Sequence, residues 1–149
     1  MQYIEAPSDD IAKFTSVFLG GGITNCPNWQ AEVVNKLKDK AITLYNPRRK
    51  TFPINDSSAA LQQIKWEYER LRSSVINSFW FPKESVCPIV LFEYGSALER
   101  DKPILIGMHP EYPRRIDVEI QTSLRNPNIK ISYSLDDYIK EIERLADLR

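Results

Sequence analysis

The stretch TSVFLGGGITNCPNWQAEVVNKLKDK, residues 15–40, decides how the rest of the chain is read. Thr15 to Leu19 is a short apolar run delivered into Gly20-Gly21-Gly22, the pattern of a buried strand entering a glycine turn. Trp29 to Lys40 then places Val33, Val34 and Leu37 at helical spacing, with Pro27 suited to a first helical turn. Strand, glycine turn and helix make half of a βαβ unit, and such units build parallel sheets.

Working outward, the pattern repeats. Ala41 to Tyr45 reads as a second strand closed by Asn46-Pro47, and the polar segment Arg48 to Ser57 reads as a loop. Leu61, Ile64, Tyr68, Leu71 and Val75 recur three and four residues apart, one apolar helical stripe. Val75 to Phe81 is a third strand stopped by Pro82, Lys83 to Val86 a loop, and Pro88 opens a helix over Ile89 to Arg100. Pro103 to Gly107 is a fourth strand, His109 to Arg114 a loop and Ile116 to Arg125 a helix. A fifth strand, Asn128 to Tyr133, leads through Ser134 as N-cap into a helix with Leu135, Tyr138, Ile139, Ile142 and Leu145 on one face. The prediction is one α/β domain over residues 1–149, a three-layer sandwich with a five-stranded, mainly parallel sheet covered on both faces. Ligands of such sheets bind beyond the carboxyl ends of the strands, where crossovers diverge. Chemistry is therefore expected in the loops Gly20–Asn28, Asn46–Asp56, Pro82–Cys87 and Met108–Arg115.

Composition narrows the classes. The 149 residues carry 20 Lys and Arg against 20 Asp and Glu, so no global field draws the chain onto nucleic acid or an anionic membrane. The longest uncharged stretch, Phe14 to Ala31, holds three glycines, Asn25, Pro27, Asn28 and Gln30 and cannot cross a bilayer. The opening residues MQYIE, with Asp9 and Asp10 soon after, lack the basic and apolar regions of a secretory leader. Two cysteines, Cys26 and Cys87, and one His make neither a disulfide framework nor a zinc site, so a cytoplasmic setting without a metal is expected.

Glu93 is the only charge in VCPIVLFEYGSAL, residues 86–98. An acid in such a helix loses solvation unless it is paired or faces a cavity, and its pKa then rises; the alternative is a place on the solvent stripe. Gly95 nearby would permit close approach of a ligand. The backbone N–H groups of Gly20, Gly21 and Gly22 can serve a phosphate, a ribose oxygen or a base carbonyl, or the glycines simply make a tight turn. Arg48 and Arg49 form either a phosphate-binding turn or a solvated loop, and Arg114 shares the ambiguity. Trp66 lies off the apolar stripe, which suits a pocket, another subunit or ordinary packing.

Taken in order, FLGGGITNCPNW, LYNPRR, QIKWEYERL, FWFP, PIVLFEYGSAL and KPILIGMHPEYPRRIDVEIQ resemble the nucleoside 2-deoxyribosyltransferase-like proteins over about Thr15 to Thr122. The resemblance implies a flavodoxin-like sheet and a glutamate, here Glu93 of Glu93-Tyr94-Gly95, that attacks C1 of the deoxyribose. It implies a base pocket lined by the loop Gly20 to Thr24, including Ile23, with Trp29 beside it. It implies an upstream acid that orients the substrate, at Glu67 or, as second choice, Asp56. Better known transferases carry several aspartates before the catalytic helix, whereas this chain has FPKESVC at residues 81–87.

The implied activity is exchange of the base on a 2′-deoxyribonucleoside through a deoxyribosyl-glutamate ester, with retention, no metal and no organic cofactor. Its partners would be a deoxynucleoside and a free nucleobase. Two rivals stand beside it. One is a hydrolase of deoxynucleosides or their 5′-phosphates, with Arg48, Arg49 or Arg114 on the phosphate; the other is a non-catalytic nucleotide sensor. The family also implies a homo-oligomer, a dimer or hexamer, to which the aromatic residues Trp66, Tyr68, Phe79, Trp80 and Phe81 would contribute contacts.

Overall fold

The central strands are apolar on both faces because helices cover both sides of the sheet. The structure, a computed structural model, describes residues 1–149. Along the chain come β1 (Gln2–Glu5), β2 (Thr15–Gly21), α1 (Trp29–Lys36), β3 (Ile42–Asn46), α2 (Ser57–Ser73), β4 (Ile76–Phe81), α3 (Pro88–Leu98), β5 (Ile104–Met108), α4 (Arg115–Arg125), β6 (Ile131–Ser132) and α5 (Leu135–Asp147). The strands pair in parallel in the order β1-β3-β2-β4-β5-β6. The result is a Rossmann-like α/β sandwich with six strands where the sequence predicted five.

Alternation along the strands builds two cores. Val17 and Leu19 of β2, Ile42 and Leu44 of β3, and Ile76 and Trp80 of β4 pack with Val33 of α1 and with Tyr138, Ile139 and Ile142 of α5. Phe18, Tyr45, Phe79 and Phe81 point the other way, onto Trp66 and Leu71 of α2, Tyr94 and Ala97 of α3, and Val118 of α4. No helix is long and apolar enough to cross a membrane.

Four differences from the sequence reading have physical causes. β1 was not predicted because Gln2-Tyr3-Ile4-Glu5 buries only Ile4, too little for a period-two signal. α1 stops at Lys36, four residues short of the predicted Lys40, and its cap is Asn28, whose side chain accepts from the Ala31 N–H, with Pro27 outside the helix. β6 keeps only Ile131 and Ser132 of the predicted Asn128–Tyr133. In α2 Leu61, Ile64 and Tyr68 of the predicted stripe are exposed while its Leu71 is buried, and the face on the sheet also carries Ala59 and Trp66.

That rotation of α2 places Trp66 in the core. It packs against Phe18 and Tyr45, its indole N–H donates to the Ser8 carbonyl at 2.7 Å, and the Arg70 guanidinium stacks over it and Tyr45. Phe79, Trp80 and Phe81 are buried as well, so of the aromatic residues assigned to a subunit contact only Tyr68 is on the surface. Trp66→Ala is expected to lower stability by about 3–5 kcal/mol, whereas Trp66→Phe, which chiefly removes the N–H, should lower it by about 1–2 kcal/mol. Urea unfolding of the two variants checks this.

Candidate active site

The glycine turn is dictated first by packing. A Cβ on Gly21 would sit 2.4 Å from the Trp29 ring and 2.5 Å from the Trp80 carbonyl oxygen, and one on Gly22 would meet Pro82 and the sulfurs of Cys26 and Cys87 at 2.7, 2.8 and 3.0 Å. Trp29 lies beneath the turn, 3% exposed, and its indole N–H donates to the Gly22 carbonyl at 3.0 Å. Trp29 thus holds the turn in shape and does not line the cavity in front of it.

Arg48 supports the same loop from outside. Its guanidinium donates to the carbonyls of Pro27 and Cys26 at 2.8 and 2.9 Å and to Gln30 Oε1 at 3.2 Å. Both ends of its fork are committed to the protein. Arg49 stacks over Phe52, and Arg114 pairs with Asp117. Asp56 caps α2, accepting from the Ser58 N–H and hydroxyl, which hold its carboxyl below the usual range.

The turn, the end of β3 and the facing sides of α2 and α3 enclose a cavity of about 420 Å³, a size typical of small-molecule sites. Gly20, Gly21, Gly22, Ile23 and Thr24 form one wall, Pro47, Ile64 and Glu67 a second, and Ser85, Cys87, Pro88, Ile89, Val90 and Glu93 a third. It lies where β2 leads by α1 to β3 on one side while β4 leads by α3 to β5 on the other, the point of divergence expected of a ligand site.

Glu93 reaches the cavity because α3 is fixed in rotation by its neighbour. Tyr94 packs edge-on against Phe79 and Phe81, and its hydroxyl shares a 2.6 Å hydrogen bond with the Thr122 hydroxyl of α4. Once Tyr94 faces the core, Glu93 turns toward α2. Gly95 then falls on the outer surface, away from this cavity, with no protein atom within 4 Å of an added Cβ, so no contact within the fold requires a glycine there. Burial pushes the Glu93 carboxyl up to about 8, with the charge of Glu67 as second cause. Glu67 is also raised by burial, opposed by its hydrogen bond from Gln63. Gln63 Nε2 donates to both Glu67 Oε1 and the Pro47 carbonyl, each at 2.8 Å.

Of the residues singled out in the sequence, Gly20, Gly21, Gly22, Ile23, Glu67 and Glu93 meet in this cavity. Trp29, Arg48, Arg49, Asp56 and Trp66 do not line it. Gln63 was missed; its place four residues before Glu67, on the same helical face, was the available signal. No group of three or more His, Cys, Asp or Glu is arranged to hold a metal ion.

A family model described as nucleoside 2-deoxyribosyltransferase like matches residues 14–112. The chain belongs to that family. The match takes in both carboxylates, the glycine turn and all four strands around the cavity. No curated protein matches the chain significantly. Among solved structures, a conserved protein from Enterococcus faecalis V583 shares the fold, with a TM-score of 0.63 and 18% identity over 89% of this chain and 99% of its own.

Within this family's scaffold the cavity supplies a carboxylate able to act as nucleophile or electrostatic stabiliser, and a second acid beside it. Ile23, Pro47, Ile64, Pro88, Ile89 and Val90 give the cavity apolar walls.

Proposed function

We propose that the cavity exchanges the base on 2′-deoxyribonucleosides. The ionised Glu93 carboxylate attacks C1′, the C1′–N bond breaks with its electron pair going to the base, and an ester joins Glu93 to the sugar. A ring nitrogen of a second base then attacks C1′ from the vacated side and frees Glu93; the proton this nitrogen releases balances the one the departed base takes from solvent, and two inversions give retention. The absence of a 2′-hydroxyl favours the developing oxocarbenium ion, which the negative charge of Glu67 stabilises further. The observation that carries this reading is the placing of Glu93 and Glu67 in one cavity with the glycine turn.

Hydrolysis needs only that water replace the second base. A 5′-phosphate is disfavoured, because no Lys, Arg or His lines the cavity and Arg48 is committed to loop carbonyls. Incubation with a 2-fluoro-2-deoxynucleoside followed by mass spectrometry is expected to show a sugar adduct on the peptide containing Glu93. No adduct, together with no base exchange, would sink the reading and leave a binding protein.

We further infer self-association through the rim of the cavity. Leu61, Ile64 and Tyr68 of α2 and Ile89 and Phe92 of α3 are exposed, Phe92 by 78%, and Ile64 and Ile89 also line the cavity. A second copy resting there would bury an apolar patch and exclude water from the site. Light scattering is expected to give a dimer or larger, and Phe92→Asp to give monomers with reduced exchange; a monomeric wild type would count against it. The two free thiols suit a reducing cytoplasm.

A further inference from the structure

Buried charges in proteins are normally paired. Glu67 and Glu93 break that rule together: both are partly buried, both face one cavity, and neither has a salt-bridge partner. Glu67 is served by a single neutral donor, Gln63, and the Arg48 guanidinium is turned onto loop carbonyls. Thr24, Ser85 and Cys87 are the only other side chains in the lining with an exchangeable proton, and burial holds the Cys87 thiol well above its usual range. The lining therefore holds two carboxyl groups with no cation to stabilise them as anions and, beyond them, no strong acid for a departing base.

Both properties select the same kind of substrate. We propose that this site prefers N-glycosides whose glycosidic heterocycle is positively charged, such as N-alkylated purines and N-glycosylpyridinium compounds, over neutral nucleosides. The inference rests on the glycosyl-transfer reading of the pocket and names its substrate class. A cationic base adds the missing partner of Glu67 in the bound complex. When Glu93 attacks C1′ and the C1′–N bond breaks, the electron pair neutralises the base, which leaves as an uncharged heterocycle with no proton required. A neutral nucleoside must instead release an anion or find a proton. Glu93 is committed to C1′, which leaves Glu67, raised by burial against the opposing Gln63 hydrogen bond, as the one carboxyl that could supply it, at the expense of its part as a charge partner.

The test compares nicotinamide 2′-deoxyriboside, permanently charged at its glycosidic nitrogen, with its neutral benzamide C-deoxyriboside isostere. Calorimetry on Glu93→Gln protein, which keeps the shape of the site and removes the nucleophile, is expected to show the cation binding about tenfold tighter or more. Adding Glu67→Gln should bring the two affinities together, and circular dichroism with thermal unfolding reports independently that the double variant is folded. Equal affinities in the Glu93→Gln protein, or a preference that survives loss of Glu67, would overturn the proposal. If the double variant does not fold, the ratio in the single variant decides. Base exchange by the wild type is measured separately: its absence with the charge preference intact removes the transfer reading alone, and its presence without the preference removes this inference alone.

Discussion

Replacing Glu93 by Ala is expected to slow base exchange by about 10⁴-fold or more, a loss of about 5 kcal/mol in transition-state stabilisation. In the proposed mechanism this side chain is the group that bonds to C1′, and water cannot take its place without changing the product. Glu93→Asp, which withdraws the carboxylate by one methylene, should lose about 10²-fold. Because the attacking form is the anion and the group is pushed up to about 8, kcat/KM should rise with pH and level off above that value. Glu67→Gln removes the second cause of the shift, so the acidic limb should move to lower pH whatever happens to the maximal rate. Initial rates by chromatography over roughly pH 5 to 10 read all four effects; an unchanged rate for Glu93→Ala would take the residue out of the mechanism.

Glu93→Gln should make the protein more stable at neutral and alkaline pH. Below the ordinary carboxyl value of 4.5 the group is protonated in both folded and unfolded chains and contributes no pH dependence. Between there and about 8 the unfolded chain has released its proton while the folded chain retains it, so the folded state loses ground with each rise in pH. Glu67, raised in the same sense, adds to the slope. The side chain reaches solvent through the cavity, so the full shift is discounted, to about 1–3 kcal/mol by pH 8. Urea titrations at about pH 5 and pH 8 should show the variant gaining over wild type only at the higher value. Equal stability at both would mean that Glu93 titrates as an ordinary surface acid. The site is then a place where stability is given up for chemistry.

Much of this was legible in the chain. Glycines after an apolar run, and a lone acid in an apolar helix, fixed both the location of the cavity and the residue of greatest interest, because each is costly unless the fold uses it. α2 was misread for a reason that periodicity cannot remove. It carries two apolar stripes, and spacing alone does not tell the one that packs on the sheet, with Trp66 and Leu71, from the one left for the cavity rim, with Leu61, Ile64 and Tyr68. The arginines stayed open between a phosphate turn and a solvated loop because charge runs are silent about their acceptors, and the carbonyls that occupy Arg48 lie 21 and 22 residues away. Gly95 was read with Glu93 because they are close in sequence, although two positions along a helix lie on opposite sides of it.

The strand at the margin of the sheet bears on how the protein can be trimmed. Residues 2–5 pair with Thr43–Asn46 of β3, and the Trp66 indole is tied to Ser8, yet the region matching the family begins at residue 14. A recombinant version cut to that region would strip β3 of its neighbour, exposing an unprotected row of amides and carbonyls, and would leave a buried indole N–H with no acceptor. Such a margin is a template for intermolecular β-pairing, so the shortened protein should precipitate where the full chain stays in solution.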